Sequence, residues 1–341
     1  MRRSSLREKV LAASRQRETG GADLLEKRTN TRRQKSLAPV GLVALALVVA
    51  LAAGCGGSKK AGRTTTTAAT ASTVTASTAP AVDTKIAAEV PAAIKSKGIL
   101  IVASNPHYAP NEFIGSDAKT IVGMDPDLGK ALAAVMGLKA KFVSASFNSI
   151  IPSVSAGKFN LGMSSITDTR QREKNVDFVT YFKSGTMFFT NTTGGLVIQK
   201  GLADLCGHSV AVASGTTGQA DATNQSAKCK SAGKSPIKIF VYPNQSAVAL
   251  GVKKGRGQVG IADYPVAAYL VVKSNGQFKL TGTPYNVAPY GIAIQKGNGM
   301  AKPVLDALKV LMANGTYKAI LTRWYVLADA ITNPKINGAI S

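Results

Sequence analysis

Arginine, aspartate and hydroxyl side chains follow apolar segments of this sequence at positions where they could bind a small charged molecule. The stretch SSITDTRQRE (164–173) begins after an apolar run, and its hydroxyl-rich turn ends with Arg170. Thr167 is placed to cap a helix there, and a helix N-terminus with a guanidinium favours a carboxylate. Ser165 and Thr167 add hydroxyl donors. The stretch predicts a carboxylate site or, on the simpler interpretation, a capped surface helix.

Two further turns carry groups that could bind the same kind of small charged molecule. ASGTTGQ (213–219) ends one apolar segment and opens a helical one, again with hydroxyls and free N–H groups. Asp263 ends the apolar run of GIADYPVAAY, where an acid is costly unless it is paired. An arginine for a carboxylate and an aspartate for an ammonium are what an α-amino acid zwitterion requires.

Aromatic residues lie in similar positions. Tyr108 in NPHYAPNEF and Phe147 in SASFNSI each follow a predicted strand, so they either flank a ligand side chain or belong to the core. Pro106 and Pro110 keep the first of these segments irregular, which favours a binding loop.

The elements that must position these residues alternate between strands and helices. GILIVAS (98–104) reads as a buried strand, and Asp125 is predicted to cap a helix that ends at Gly137. Such alternation indicates a parallel α/β architecture. About 255 residues is too many for one small core, so we expect two lobes. Ligands of open α/β sheets bind beyond the carboxyl ends of the strands.

The first part of the chain resembles an export signal. Residues 38–54 carry no charge, follow the basic TRRQK, and end in LAAGC, which resembles the lipobox that precedes a lipidated cysteine, here Cys55. An uncleaved anchor helix is the alternative. We therefore assign 1–54 to a basic n-region and signal peptide. Residues 55–85, rich in Thr, Ala and Ser, are assigned to a flexible tether.

The remaining cysteines, Cys206 and Cys229, predict a disulfide, because an even pair in an oxidising exterior is typically bridged. A zinc site is not expected, since His107 and His208 are the two histidines of the chain.

The formal net charge of +24 suggests nucleic acid as a partner, but the lysines are scattered and do not interleave with aromatic residues. No nucleic-acid partner is therefore expected. GRGQVG (255–260) matches a dinucleotide motif but follows a helix and opens a strand, the reverse of the required context. We predict no cofactor, no metal and no catalysis.

Six segments in order resemble one family. They are YAPNEF, IVGMDPDL, FNSIIPSVSAGKFNLGMSSITDTRQREKNVDF, VASGTTGQA, GQVGIADYPVAAY and NGTYKAILTRWYV. Over about residues 86–330 the chain is similar to the polar amino acid-binding subfamily of ABC-transporter solute-binding proteins (bacterial extracellular solute-binding proteins, family 3).

That resemblance implies a two-lobed periplasmic-binding-protein-like fold of type II, with a mostly parallel sheet in each lobe. Lobe 1 is expected at 86–186 plus 288–330, lobe 2 at 187–287, and a C-terminal tail at 331–341. The chain would cross between the lobes twice, near 183–190 and near 283–290.

The resemblance also implies roles for individual residues. Arg170 would hold the ligand carboxylate and Asp263 its amine, and Tyr108 and Phe147 would stack on its side chain. Other ligand contacts match Ser165, Thr217 and the backbone near Met163.

Three acidic or amide positions are less clear. Binders of basic amino acids carry an aspartate where this chain has Asn105, which weakens a preference for lysine or arginine. Asp125 matches a family acid, but its predicted capping role explains it without a ligand. Glu112 is either a cavity acid or a rim residue.

We therefore expect an extracytoplasmic lipoprotein, anchored to the cell membrane through Cys55, that captures an amino acid, polar or neutral, and delivers it to an ABC-transporter permease. The alternatives are a dehydratase-like enzyme on the same fold with Glu112 as its acid, and a binder of another small carboxylate.

Overall fold

Strands and helices alternate along residues 80–340, the part of the chain that the computed structural model describes. The strands are β1 (Ile99–Ser104), β2 (His107–Tyr108), β3 (Glu112–Ile114), β4 (Ile121–Val122), β5 (Lys139–Ser144), β6 (Leu161–Gly162), β7 (Asp177–Asn191), β8 (Ser209–Ala213), β9 (Lys238–Tyr242), β10 (Val259–Asp263) and β11 (Phe278–Ile294). The α-helices are α1 (Thr84–Glu89), α2 (Ala92–Lys95), α3 (Met124–Val135), α4 (Phe147–Ser155), α5 (Arg170–Glu173), α6 (Thr217–Ser231), α7 (Gln245–Lys253), α8 (Tyr264–Lys273), α9 (Ala301–Ala313) and α10 (Thr316–Arg323). Short 3-10 helices span Gly201–Leu205 and Leu327–Asp329.

Eight strands form one sheet in the order β5-β1-β6-β11-β7-β10-β8-β9. The pairs at the two ends of this order are parallel, whereas β6-β11, β11-β7 and β7-β10 are antiparallel. The sheet therefore has two parallel halves joined by the long strands β7 and β11. A separate antiparallel sheet contains β2, β3 and β4.

Apolar side chains cover both faces of each half, as expected for strands whose connections are helices. In the first half, α3, α9 and α10 bury Leu128, Leu308 and Leu321 in one cluster, and Ile150 of α4 lies in another. In the second half, Val248 of α7 packs in a cluster with Phe189 of β7. A further cluster contains apolar residues of α6 and β8.

The predicted α/β class is confirmed. The central antiparallel strands were not foreseen, because long apolar runs indicate strands without showing their direction. The predicted crossings near 183–190 and 283–290 fall inside β7 and β11. There the pairing of the two strands is irregular, with register shifts between Thr281 and Tyr285 and between Tyr285 and Ala288.

The described chain begins with an ordered cap. The Asp83 side chain accepts hydrogen bonds from the N–H groups of Lys85 and Ile86 and starts α1, inside the segment predicted as tether. The predicted signal peptide (1–54), Cys55 and the tether up to residue 79 lie outside the described residues. Within the described part, no helix has the length and apolar character needed to cross a membrane.

The C-terminal segment extends the free edge of β7. Ile336 forms a bridge with Val179, and the Asn337 N–H donates to the Phe178 carbonyl at 2.9 Å. The Thr180 N–H donates to the Lys335 carbonyl, also at 2.9 Å. The predicted tail thus contacts the folded body as far as residue 339.

The predicted disulfide is confirmed: Cys206 and Cys229 are bonded, with their Cα atoms 5.6 Å apart. Cys206 follows the 3-10 helix Gly201–Leu205, and Cys229 is buried in the last turns of α6. Few other residues of α6 are buried, so the bridge is a main attachment of this helix to its half of the sheet.

Removing this bridge should destabilise the fold. A Cys206→Ser/Cys229→Ser variant is expected to lose about 2 to 4 kcal/mol of unfolding free energy, because the unfolded chain regains the freedom of the closed loop. Urea unfolding with and without reductant measures this loss. The variant is the control, because reductant should not change its unfolding free energy. Equal stability of the oxidised and reduced wild-type protein would contradict the prediction.

Candidate functional site

A cleft lies at the ends of strands from both halves of the sheet. It encloses about 550 Å³ of space between atoms, including solvent at its mouth, within the usual range for small-molecule sites. It is lined by Asn105, Tyr108, Glu112, Phe147, Ser164, Ser165, Thr167, Arg172, Thr186, Ala213, Thr216, Thr217, Gly218, Asn244, Gln245, Ile261, Ala262 and Asp263. One cation and two acids are among these side chains.

Arg172 of α5 is the cation of the cleft. Its Nη1 donates to the Thr167 carbonyl at 2.8 Å, and its Nη2 donates to the Gly215 carbonyl in the other half at 3.1 Å. The guanidinium carbon lies 5.6 Å from the centre of the Phe147 ring. Burial lowers the pKa of Arg172 to about 10, so it stays charged at neutral pH.

Arg170, predicted to hold a carboxylate, does not line this cleft. It is exposed and lies in a neighbouring surface depression with Thr169 and Lys174. The helix is capped by Thr169, whose side chain accepts from the Arg172 N–H, and not by Thr167 as predicted. The later start of the helix directs Arg172 inward, so Arg172, and not Arg170, lies in the cleft.

Asp263 lies at the end of β10, as expected. Its N–H donates to the Tyr108 hydroxyl oxygen at 3.0 Å, and its Oδ2 accepts from the Tyr290 hydroxyl at 2.6 Å. Burial raises the pKa of Asp263, while the hydroxyls of Tyr290 and Tyr108 and the charge of Arg172 act in the opposite direction. The described residues form no ion pair with this acid within 4.0 Å, so it is available to an ammonium group.

The predicted glycine-rich loop forms one wall. Gly215 adopts a φ of +76°, and a Cβ there would lie 2.8 Å from the Asn148 side chain. Thr216 caps α6 by accepting from the Gln219 N–H, so Thr217 is the first residue of a 15-residue helix. The turn thereby presents Thr216, Thr217 and the start of α6 to the cleft.

Tyr108 and Phe147 line the cleft, as predicted. Tyr108 pairs with Glu112 across the β2–β3 ladder, which brings both side chains to the same wall. Phe147 begins α4 and lies beside the Arg172 guanidinium. A ligand near the arginine therefore meets an aromatic surface.

Glu112, 1% exposed, is a cavity acid and not a rim residue. Its carboxyl oxygens accept from the hydroxyls of Ser164 and Ser165, each at 3.0 Å. Ser165 has a φ of +50°, which allows its N–H to reach Asp125 Oδ2 at 2.8 Å. Ser165, from the hydroxyl-rich turn, thus joins two buried carboxyls.

Asp125 was predicted to cap α3, and this is wrong. The cap residue is Gly123, and Asp125 is fully buried, with its Oδ1 accepting from the Tyr181 hydroxyl at 2.7 Å. Gly123 has a φ of +136°, and a Cβ there would lie 2.2 Å from the Asn111 carbonyl oxygen. This tight turn sends Asp125 inward, behind Glu112.

Met163, near which a backbone contact to the ligand is predicted, does not itself line the cleft. Met163 is fully buried, its N–H donates to the Ala103 carbonyl, and Ser164 lines the cleft in its place. Asn105 does line the cleft, and its Nδ2 donates to the Ala145 carbonyl at 3.0 Å.

Several lining residues were not identified from the sequence. Asn244 caps α7 by accepting from the Ala247 N–H, and its place after an apolar run was a detectable signal. Gln245 follows it, and its Nε2 donates to the Ile261 carbonyl. Thr186 lies within β7, where no turn marks it as a site residue.

The loop before Arg172 is held by the C-terminal segment. Asp168 is fully buried, and its Oδ2 accepts from the Gly338 N–H at 2.8 Å. The Ala339 N–H donates to Glu173 Oε1 at 3.1 Å. Residues 338 and 339 therefore fix the segment that bears the cleft arginine.

A family model and individual relatives both match this chain to the same family of proteins. Residues 100–326 match the family model described as bacterial extracellular solute-binding proteins, family 3. The chain is 33% identical over 254 residues to the arginine-binding protein ArgT of Corynebacterium glutamicum, covering 74% of this chain and 83% of that protein.

Solved structures that resemble this chain are also amino acid-binding proteins. An ancestral arginine-binding protein bound to arginine is 32% identical, with a TM-score of 0.60 over 67% of this chain and 98% of that one. The ancestral amino acid-binding protein AncCDT-1, described as a precursor of cyclohexadienyl dehydratase, is 31% identical. Its TM-score is 0.61, over 68% of this chain and 98% of that one.

The stability of the protein should respond to Asp168 through pH. Burial, with the neighbouring Glu173 carboxyl, raises the pKa of Asp168 to about 7. The folded state then binds this proton more tightly than the unfolded state. The free energy of unfolding should therefore fall as pH rises from about 4 to about 7. Asp168→Asn keeps an oxygen for Gly338 but does not titrate.

The measurement is urea unfolding of both proteins at about pH 5 and about pH 8. The variant is expected to gain stability relative to wild type at the higher pH. A stability difference that is the same at both pH values would show that Asp168 does not carry this pH dependence.

Proposed function

The chain belongs to the bacterial extracellular solute-binding proteins of family 3, which capture amino acids for ABC transporters, and from this premise we propose that its own ligand is arginine. The observation that carries the proposal is the charge arrangement of the cleft. It presents one arginine, one acid at a strand end and one further buried acid, which match the three charged groups of free arginine.

The α-carboxylate of the ligand would bind Arg172. The guanidinium already donates to the carbonyls of Thr167 and Gly215 and lies beside Phe147, so its position is fixed before a ligand arrives. The N–H groups at the start of α6 and the Thr217 hydroxyl add donors on the same wall. Donors fixed in advance reduce the entropy lost on binding.

The α-ammonium would bind Asp263. The carboxyl of this acid has only neutral hydroxyl donors, Tyr290 and Tyr108, among the described residues, and Arg172 is near enough for the two charges to affect each other's pKa. A zwitterion between them pairs both charges once water is excluded. A ligand that lacks either group would leave one charge unpaired, which is costly.

The side chain of the ligand would extend toward Glu112. The aspartate that binders of basic amino acids carry is Asn105 here, but Glu112, which is joined to Asn105 through the Ser164 hydroxyl, supplies a carboxyl beside it. Tyr108 and Phe147 would flank the chain of a long ligand. A guanidinium is planar and pairs well with both carboxylate and aromatic surfaces.

Closure around the ligand would take place at the irregular part of the β7–β11 ladder. We assign lobe 1 to 86–186 plus 288–330 and lobe 2 to 187–287, with crossings near 183–190 and 283–290. The register shifts around Tyr285 and the φ of +78° at Gly282 support bending there, because an interrupted ladder resists deformation less.

Delivery would require the membrane. Anchoring through a lipid on Cys55 and contact with a permease remain part of this proposal, supported by the lipobox-like sequence and by the family. The enzymatic alternative, with Glu112 as an acid, is less favoured because the curated relative ArgT is a binding protein. Turnover of a carboxylated ring compound by the purified protein would support that alternative.

The two arginines provide a matched test. Arg172→Ala should weaken arginine binding by about 2 to 5 kcal/mol, because the ligand carboxylate loses its partner in a site closed to water. Arg170→Ala removes the same charge two residues away, on the exposed side of α5, and should leave the affinity within about threefold. Isothermal titration calorimetry with L-arginine measures both.

The reverse ranking, with Arg170→Ala the weaker binder, would restore the assignment made from the sequence. Equal affinities for the two variants and the wild-type protein would show that neither arginine binds the ligand carboxylate.

A further inference from the structure

Glu112 and Asp125 form a pair of buried carboxyls, one at the cleft surface and one directly behind it. Glu112 is 1% exposed and Asp125 is 0% exposed. Ser165 joins them, since its hydroxyl contacts Glu112 at 3.0 Å and its N–H donates to Asp125 at 2.8 Å. Two acids so placed are not explained by the capture of a ligand's main-chain groups.

Every hydrogen-bond donor to the pair is a neutral group. The Ser164 hydroxyl oxygen accepts from the Asn105 N–H, and the Ser165 hydroxyl oxygen accepts from Asn111 Nδ2, each at 2.9 Å. Each serine therefore has its own hydrogen to donate to Glu112. The arrangement favours negative charge on the pair, but it supplies no positive charge.

No lysine, arginine or histidine is a hydrogen-bond or ion-pair partner of either acid within residues 80–340. The titratable groups that face them are the phenols of Tyr108 on β2 and Tyr181 on β7. Two adjacent buried negative charges without a cation are strongly unfavourable. Burial raises the pKa of Glu112 well above its usual range, and the charge of Asp125 raises it further. Burial also raises the pKa of Asp125, to about 6.

We propose that the Glu112–Asp125 pair holds one shared proton before a ligand binds and releases it when a cationic side chain reaches Glu112. The release would make the pair a selector for cationic over neutral side chains. This inference rests on the proposed capture of arginine and goes beyond it, because it specifies how the side chain is distinguished.

The proton moves in a defined direction. The ligand brings one positive charge, the pair loses one proton to solvent, and the second carboxylate is then balanced by the guanidinium. Below the pKa of the pair, arginine affinity should therefore rise about tenfold per pH unit and level off above it. A neutral side chain brings no charge, so its binding leaves the proton in place.

L-citrulline provides a matched neutral ligand, because it has the shape of arginine with a urea in place of the guanidinium. Arg172 and Asp263, the other charged groups of the cleft, would hold the same main-chain groups in both ligands. Their protonation affects the two ligands equally. The difference between arginine and citrulline therefore isolates the carboxyl pair.

The test is calorimetry of the wild-type protein at about pH 6 in buffers of different ionisation enthalpy. L-arginine binding should release close to one proton, and the released proton should be absent with L-citrulline. Glu112→Gln should abolish the release and weaken arginine at least about tenfold. Asp306→Asn, which removes a partly buried charge on α9, outside the cleft, should behave as wild type.

Asp125→Asn leaves Glu112 as a single acid without a neighbouring negative charge. The increase of arginine affinity with pH should therefore occur at lower pH than in the wild-type protein. If Glu112→Gln does not fold, the buffer dependence of the wild-type protein decides the question. Arginine binding with the same enthalpy in all buffers would overturn the proton release and leave the capture of arginine standing. No binding of arginine under any condition would overturn both.

Discussion

The antiparallel pairing of β7 with β11 is the contact on which the rest of the structure depends. These strands run from one half of the sheet into the other, and the parallel strands of each half attach on either side of them. The cleft lies where the two halves meet, so Arg172 from one half and Asp263 from the other face the same space. Two of the three register shifts in this pairing flank Tyr285 in the middle of the ladder, and the third, between Tyr290 and Gly291, lies in the first half. The ends belong to cores, whereas the middle lies at the junction of the two halves.

Charge placement in the cleft follows from this geometry. Each half contributes a charge that has no opposite partner of its own within hydrogen-bond distance among the described residues, and burial penalises both. Neutral donors and acceptors fix their positions: the carbonyls of Thr167 and Gly215 for the arginine, and the Tyr290 hydroxyl for the aspartate. A site of this kind is prepared for a ligand that carries both charges. Under the proposed function, Glu112 at the cleft surface and Asp125 behind it would play the same part for the charge of the ligand side chain.

Much of this could be predicted from the sequence, and the errors share a physical cause. Alternating apolar runs gave the α/β class, and residues after strands gave Asp263, Tyr108 and Phe147. Arg170 and Arg172 are two residues apart, which on a helix directs them about 200° apart, so a two-residue error in the start of the helix points to the arginine that lies outside the cleft. Asp125 was misassigned because a turn that begins at a glycine with positive φ sends it inward. Ser164 was missed because its partner Asn105 is 59 residues away in sequence, and local patterns carry no information about such contacts.

Under the proposed function, Arg172 and Asp263 hold the two charged main-chain groups of an α-amino acid. The decisive measurement is calorimetry of L-arginine against agmatine, which lacks the carboxylate, and Nα-acetyl-L-arginine, which lacks the ammonium. Each analogue should bind at least about thirtyfold more weakly than arginine, because each leaves one buried charge unpaired. Agmatine or the acetylated compound binding as tightly as arginine would contradict it.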